Sequence, residues 1–316
     1  MSVLVVGSVA YDTVVTTMGS RSDALGGSAT YLSVSCSYFT PVSVVAVVGT
    51  DFQPDHVELL KSHDVDMAGL ETRPGKTFRW SGVYSAEEVN TRTTLDTQLN
   101  VFADFAPSLT SDQRQQPYLF LANIDPDLQH GVLDQMVPRP KLVCLDSMNF
   151  WIERKNSSLR SVLSGVDVLF MDEGEARAMA SDVNLVKSAR RMMDFGPEVV
   201  VIKRGEHGVM MLHGDSLFVA PAMPLENVVD PTGAGDAFAG GFIGYLGATG
   251  DISADGFRRA AVVGSVMGSF AVESFSLDRL GSLTREDIEG RFREFTTLLK
   301  FASIEDGGPL PFRGDR

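Results

Sequence analysis

From residue 118 onward the chain repeats one pattern, a short apolar run followed by a helix-compatible stretch. Residues 118–122, 141–145 and 166–171 are the apolar runs, and residues 126–136, 157–163 and 173–180 follow them as helices. Short runs without polar alternation suit strands buried on both faces. Strands that alternate with helices call for a parallel sheet with right-handed crossovers and helices on both sides. The N-terminal third reads the same way: strand at 2–7, buried helix at 28–39 with Ser28 as its cap, strand at 42–49, helix at 52–63. Such sheets bind ligands beyond the carboxyl ends of their strands. Polar residues gather at those positions: Asp12 after the first strand, then Asn123, Asp146 with Asn149, and Asp172 with Glu175. Asp125, directly before Pro126, is better explained as a helix cap with Pro at the first helical position. A dinucleotide fingerprint would need Gly-x-Gly-x-x-Gly after the first strand, where this chain has Gly-Ser-Val-Ala-Tyr-Asp.

The stretch 228–242, Val-Val-Asp-Pro-Thr-Gly-Ala-Gly-Asp-Ala-Phe-Ala-Gly-Gly-Phe, carries the chemistry. A polar turn holding Gly233, Ala234 and Gly235 runs straight into an apolar helix, so free amides and the positive end of the helix dipole converge on one spot. That spot attracts an anion, and the glycines let it come close. Asp236 among those amides competes with the anion unless it is a base that takes a proton from a hydroxyl while the amides hold a transferring phosphoryl group. The plainer reading makes Asp236 a helix cap and the glycines a turn. Gly75-Lys76-Thr77 imitates the end of a Walker loop, but residue 70 is Leu and residues 78–84 read as strand, so it is a turn.

Residues 77–84 and 91–102 alternate Thr, Arg, Trp and Tyr around a polar turn at 85–90, which suits a small two-sided sheet outside the core. Trp80 and Phe102 line a pocket there, face a second subunit, or pack beneath a hairpin. Residues 198–203 form a strand leading into Arg204-Gly205-Glu206-His207-Gly208 and a hairpin at 209–212 and 217–219. Lys203 or Arg204 supplies a cation for phosphate or is a solvated charge; His207 and His213 have no partners at metal spacing and face water. Residues 256–272 form a helix rich in small residues that packs closely on the helix after Asp236. Residues 284–300 close the domain, and 307–316 form a loose or docked tail.

The segment from Asp230 to Gly241 resembles the C-terminal signature of the PfkB/ribokinase family of carbohydrate and nucleoside kinases. The resemblance implies a ribokinase-like three-layer α/β sandwich, one domain over residues 1–316, with a β lid at about 12–24 and 75–105. It makes Asp236 the catalytic base and the amides of Gly233, Ala234, Gly235 and Asp236 the anion hole. Asp12, the Gly26–Gly27 backbone, Tyr31 and Asn123 would bind the acceptor. Tyr31 stands where relatives commonly have Asn, and Asp172 replaces the Asn of the family's Asn-x-x-Glu motif; both departures bear on substrate and metal contacts. Glu175 would organise Mg²⁺ through water, while Asp172, Lys203, Gly205, Gly208 and Thr232 would contact ATP. Asp230 and Thr232, with the carbonyls of residues 269–274, match a monovalent-cation site that takes K⁺.

The implied activity is ATP-dependent phosphorylation of a hydroxymethyl group on a small sugar. One alternative is a nucleoside (adenosine-like) kinase, since Tyr31 and an aromatic lid suit a base and Gly-Ser-Val-Met-Gly-Ser-Phe-Ala-Val-Glu resembles adenosine-kinase relatives. The other is a non-catalytic sugar- or nucleotide-binding regulator on the same fold. A net charge of −14 argues against nucleic acid and anionic membrane as partners, while 44% hydrophobic content is ample for a core. Cys36 and Cys144 lie in apolar runs like buried thiols of a reducing compartment, and the start of the chain does not read as a leader, so a cytoplasmic protein is expected. The family also leads us to expect a homodimer through the lid.

Overall fold

The computed structural model describes residues 1–85 and 91–300. Its first half runs β1 (Val3–Val6), β2 (Ala10–Thr16), β3 (Gly19–Gly26), α1 (Ser28–Ser37), β4 (Val42–Gly49), α2 (Pro54–Ser62), β5 (Val65–Arg73), β6 (Phe78–Tyr84), β7 (Arg92–Gln98), β8 (Tyr118–Leu121) and α3 (Pro126–Leu133). The second half runs β9 (Leu142–Asp146), α4 (Asn149–Arg154), α5 (Asn156–Leu163), β10 (Val168–Asp172), α6 (Glu173–Ala180), α7 (Leu185–Met193), β11 (Val199–Lys203), β12 (Val209–His213), β13 (Ser216–Ala220), α8 (Ala234–Thr249), α9 (Ala254–Ala271) and α10 (Arg285–Leu298).

Among the described residues, nine strands form one sheet in the order β13-β12-β11-β10-β9-β8-β1-β4-β5. All its pairings are parallel except those of the β12–β13 hairpin, which adds an antiparallel edge. The unbroken apolar runs follow from what covers the two faces. Val3, Val5, Phe120 and Phe170 point to the side of α1, α8 and α9, while Leu4, Val6, Leu119 and Leu169 point to the side of α3, α5, α6 and α7. Alternate residues meet different helical layers, so both faces favour apolar side chains.

A second sheet, β3-β2-β6-β7, stands over the carboxyl ends of the first. Its β7 is exposed along its whole length and β3 over its first five residues, matching the polar alternation of the sequence. Asp12 is part of this sheet, paired across to Ala24 and Trp80, and not a loop residue after β1. The strand expected to reach residue 102 stops at Gln98, and residues 100–104 form a 3₁₀ turn. Phe102 is stacked between Phe78 and Phe105 at 5.5 and 5.4 Å, so it packs in a core and faces neither a pocket nor a partner. Thr77 precedes β6 and is bound to Asp51 at 2.7 Å, which makes the Walker-like triplet a structural turn. Of the expected turn at 85–90, residues 86–90 lie outside the described residues, as does the tail at 307–316.

Ser28 is not the cap of α1. Gly27 holds that position at φ 93°, and the Ser28 hydroxyl instead lies 3.1 Å from the Ser8 hydroxyl. His213 is half-buried with its ring edge-on to Phe257 at 5.2 Å, whereas His207 is exposed as expected. No described helix is long and apolar enough to cross a membrane.

Helix α8 is clasped on two sides by close backbone contacts. A Cβ on Gly240 would lie 2.3 Å from the carbonyl oxygen of Leu32 in α1, and one on Gly241 would lie 2.7 Å from Met267 Cγ in α9. These positions accept hydrogen alone. Gly240→Ala is therefore expected to lower unfolding stability by about 2–4 kcal/mol in a denaturant titration. Gly131→Ala, in α3 with open space around it, should raise stability by about 0.5–1 kcal/mol. Equal effects at the two sites would refute the packing account.

Candidate active site

The strand ends of the large sheet and the inner face of the small one enclose a cleft of about 1050 Å³. At its centre, Gly233 caps α8 in the left-handed conformation at φ 75°; the Ala234 amide donates to the Pro231 carbonyl at 3.3 Å, and no described side chain binds the amides of Gly235 and Asp236. Asp236 is thus not the cap. It sits in the first helical turn with its side chain at the cleft wall. Burial first, and then the charge of Asp146, push its pKa up to about 7, while Lys203 and Arg92 oppose the shift.

The other end of the cleft is built on Asp12. This carboxylate is 6% exposed and accepts a hydrogen bond from the Gly27 amide; burial, with Asp230 and Asp236 adding, raises it to about 7. A Cβ on Gly26 would lie 1.9 Å from Asp12 Oδ2, and one on Gly27 would lie 2.5 Å from the Ser8 carbonyl oxygen, so the Gly-Gly backbone lies directly against the carboxylate. Tyr31, fully buried in α1, lays its ring on Gly233, where a Cβ would come within 2.4 Å of it. The residue that departs from the family pattern thus supports the anion turn itself. Asn123 and Ser147, at the ends of β8 and β9, line the cleft with a buried Oδ1 and Oγ that have no hydrogen-bond partner among the described residues.

Asp172 and Glu175 cap α6 reciprocally: Asp172 Oδ1 accepts from the Glu175 amide and Glu175 Oε2 from the Asp172 amide, both at 2.7 Å. Glu175 is buried, which removes the exposed-helix reading; that burial, with Asp172 and Asp146, raises it to about 8. No cluster of three or more His, Cys, Asp or Glu side chains forms a metal cage among the described residues. Asp172 Oδ2 and Glu175 Oε1 lie outside the reciprocal cap, and a pair of carboxylates of this kind suits a hydrated Mg²⁺. Lys203 is no surface charge, since its Nζ pairs with Asp146 at 2.5 Å. Arg204 is occupied by Glu173 at 3.0 Å. Gly205 and Gly208 shape the neighbouring turn at φ 53° and 85° and line the cleft.

Asp230 is buried and accepts from the Thr232 amide at 2.9 Å; burial raises its pKa. Thr232 Oγ1 donates to the Tyr84 hydroxyl at 3.1 Å, tying the small sheet to the anion turn. The amides of Val229 and Asp230 both donate to the Val272 carbonyl, which fastens this segment to the end of α9. Among the lining residues that escaped the sequence reading are Tyr84, Arg92 and Ser147. The period-2 pattern of β6 held the signal for Tyr84, because Phe78, Trp80 and Tyr84 all face the cleft. Trp80 lies across Gly82 and donates from Nε1 to Thr94 at 3.2 Å.

The profile of the pfkB family carbohydrate kinases matches residues 2–279 of this chain. The cytidine kinase of Thermococcus kodakarensis is 30% identical over 253 residues, 78% of this chain and 88% of that protein. The inositol 3-kinase of Arabidopsis thaliana is 26% identical over 286 residues, 86% of this chain and 74% of that protein. Among solved structures, a Methanocaldococcus jannaschii nucleoside kinase of the ribokinase family superposes with a TM-score of 0.74 at 18% identity, covering 93% of this chain and 98% of its own. A fructokinase from Vibrio cholerae O395 with fructose, ADP and potassium ion bound reaches 0.74 at 19% identity, covering 92% and 97%. At these identities the structural likeness shows the fold: a large, mostly parallel sheet between helical layers with a small sheet beside it.

Asp12, Asp236 and Glu175 all have raised pKa values, so the folded chain holds their protons more tightly than the unfolded one. Their contribution to stability is fully present below the ordinary carboxylate range and is lost as pH rises through about 7 to 8. Asp236→Asn should therefore unfold at higher temperature than the parent without nucleotide. The gain should grow from about pH 5 to about pH 8, reaching about 1–3 kcal/mol. A gain that is flat with pH would remove the burial account of Asp236.

Proposed function

The chain belongs to the pfkB family of carbohydrate kinases and is a phosphotransferase; we propose that it transfers the γ-phosphoryl group of ATP to a hydroxymethyl group of a nucleoside. The observation that carries this reading is the union of base and anion site on one turn: Asp236, near pKa 7, stands among the uncapped amides of α8. As the acceptor oxygen bonds to phosphorus, Asp236 takes the hydroxyl proton, the bond to the bridging oxygen breaks, and ADP leaves. The amides of Gly235 and Asp236, with Lys203, hold the charge of the transferring group. Mg²⁺, which Glu175 and Asp172 would hold through water, supplies charge neutralisation of the triphosphate.

Asp12 and the Gly26–Gly27 backbone suit two adjacent ring hydroxyls, with Asn123 and Ser147 available for further ones. The aromatic face of Phe78, Trp80 and Tyr84 suits a flat base above that ring. The naming of the Thermococcus kodakarensis relative as a cytidine kinase supports a nucleoside. A free sugar is the second reading, because Asp12 and Gly26–Gly27 serve the same ring without a base. The turn at Gly205–Gly208 and the wall formed by Ser269 and Val272 are our candidates for ATP contacts, and Asp230 with Thr232 for a K⁺ site. The small sheet acts as the lid that excludes water during transfer, and its bare strand β7 is the candidate dimer surface.

ADP formation from Mg·ATP across nucleosides, pentoses, hexoses and inositols tests the reading. Asp236→Asn should lower kcat by about 10²–10⁴-fold on the preferred acceptor while ATP affinity stays within about threefold. Retention of more than about a tenth of the wild-type rate would reject Asp236 as the base. Trp80→Ala should raise KM for nucleosides by about tenfold with little change for free ribose; equal change for both would favour the free sugar.

A further inference from the structure

The reaction above uses Lys203 but leaves its partner Asp146 without a task. These residues end β11 and β9, on either side of Asp172 at the end of β10. Their side chains are 18% and 4% exposed. On its far side the ammonium packs against the anion turn, because a Cβ on Gly235 would lie 3.1 Å from Lys203 Nζ and 3.5 Å from its Cδ. Asp146 is held on every side. Its Oδ1 accepts from the Ser147 amide at 2.9 Å, its Oδ2 from Lys203 at 2.5 Å, and its carbonyl oxygen from the fully buried Gln129 Nε2 at 3.0 Å. Gln129 also donates to the Ala122 carbonyl, so two neighbouring strand ends are fixed together. Both carboxylate oxygens of Asp146 are engaged within the protein, whereas Lys203 has two further N–H donors and lines the cleft.

We propose that Asp146 is a positioning residue: it pins the Lys203 ammonium against Gly235, so the anion turn carries a full positive charge beside its amides and that charge is kept off the base. Lys203 touches the transferring phosphoryl group, and Asp146 acts only through Lys203. Without Asp146, the other carboxylates near the ammonium are Glu175 and Asp236, and pairing with Asp236 would occupy the group that must take the proton. Gly235 then has a second reason to be glycine, since it must admit the ammonium as well as expose the backbone. The inference rests on the phosphotransfer reading.

A double-mutant cycle of Asp146→Asn and Lys203→Met tests it, with kcat, the ratio of ATP to ADP affinity by calorimetry, and thermal stability measured on all four proteins. We expect Asp146→Asn to lower kcat and the ATP-to-ADP preference by about fivefold or more when Lys203 is present, and by less than about twofold when it is Met. Losses that multiply in the double variant would overturn the proposal, as would a fall in stability with neither quantity changed. If the Lys203→Met chain does not fold, Lys203→Gln takes its place with the same expectations. If wild type forms no ADP with any acceptor, the phosphotransfer reading fails separately. The calorimetric ratio still judges Asp146, and a ratio constant around the cycle would overturn its role.

Discussion

Everything in the cleft is measured from the contact between α1 and α8. Gly240 and Gly244 face Leu32 and Cys36 of α1 at distances where a Cβ would touch main-chain oxygen, and Tyr31 rests on Gly233 at the head of α8. Helix α1 begins at the Gly26–Gly27 backbone that lies against Asp12, and α8 begins at the turn that carries Asp236. Two helices in glycine contact cannot slide by a fraction of an ångström without a clash. The separation between the Gly26–Gly27 backbone and Asp236 is therefore set by packing and not by the loops that display them. Helix α9 presses from the other side through Gly241 and Gly264, so α8 is fixed between neighbours.

On this frame the chain gathers more negative charge than a phosphate site would be expected to hold. Asp12, Asp146, Asp172, Glu175 and Asp236 all reach the cleft, against Lys203 and Arg92. Burial resolves the conflict in part by raising Asp12, Asp236 and Glu175 to about 7, 7 and 8, so near neutral pH several of them retain protons until something positive arrives. Burial raises Asp146 as well, but the Lys203 ammonium bound to it opposes that shift. The cleft thus holds one durable ion pair and several carboxyls whose charge depends on what is bound.

Much of the large sheet was legible because its strands are buried on both faces, and a run such as residues 42–49 has no other use for eight residues nearly all apolar. The motif at 228–242 was legible as turn and helix because glycine and helix onset lie side by side. The failures share one cause, which is that they depended on tertiary neighbours. Ser28 looks like a cap, but Ser8 claims its hydroxyl. Phe102 looks like a strand aromatic, but Phe78 and Phe105 draw it inward. Glu175 had the alternative of an ordinary first-turn glutamate, and only the packing of α6 against the sheet shows that it is buried. Arg92 belongs to β7, which is polar on both faces and exposed along its length, so alternation alone does not say which face meets the ligand.

Asp12 is carried by β2, a strand of the small sheet, and not by the large sheet beneath it. The same small sheet is joined to the Asp236 turn through Tyr84 and Thr232, and to the segment leading into it through Thr16, whose hydroxyl donates to the Val229 carbonyl at 2.8 Å. On the proposed reading, grip and cover are consequently one mechanical part. Any swing that uncovers the cleft also carries Asp12, with Gly26 of the neighbouring strand β3, away from the turn that bears Asp236, so opening the cleft and parting these two groups are one motion.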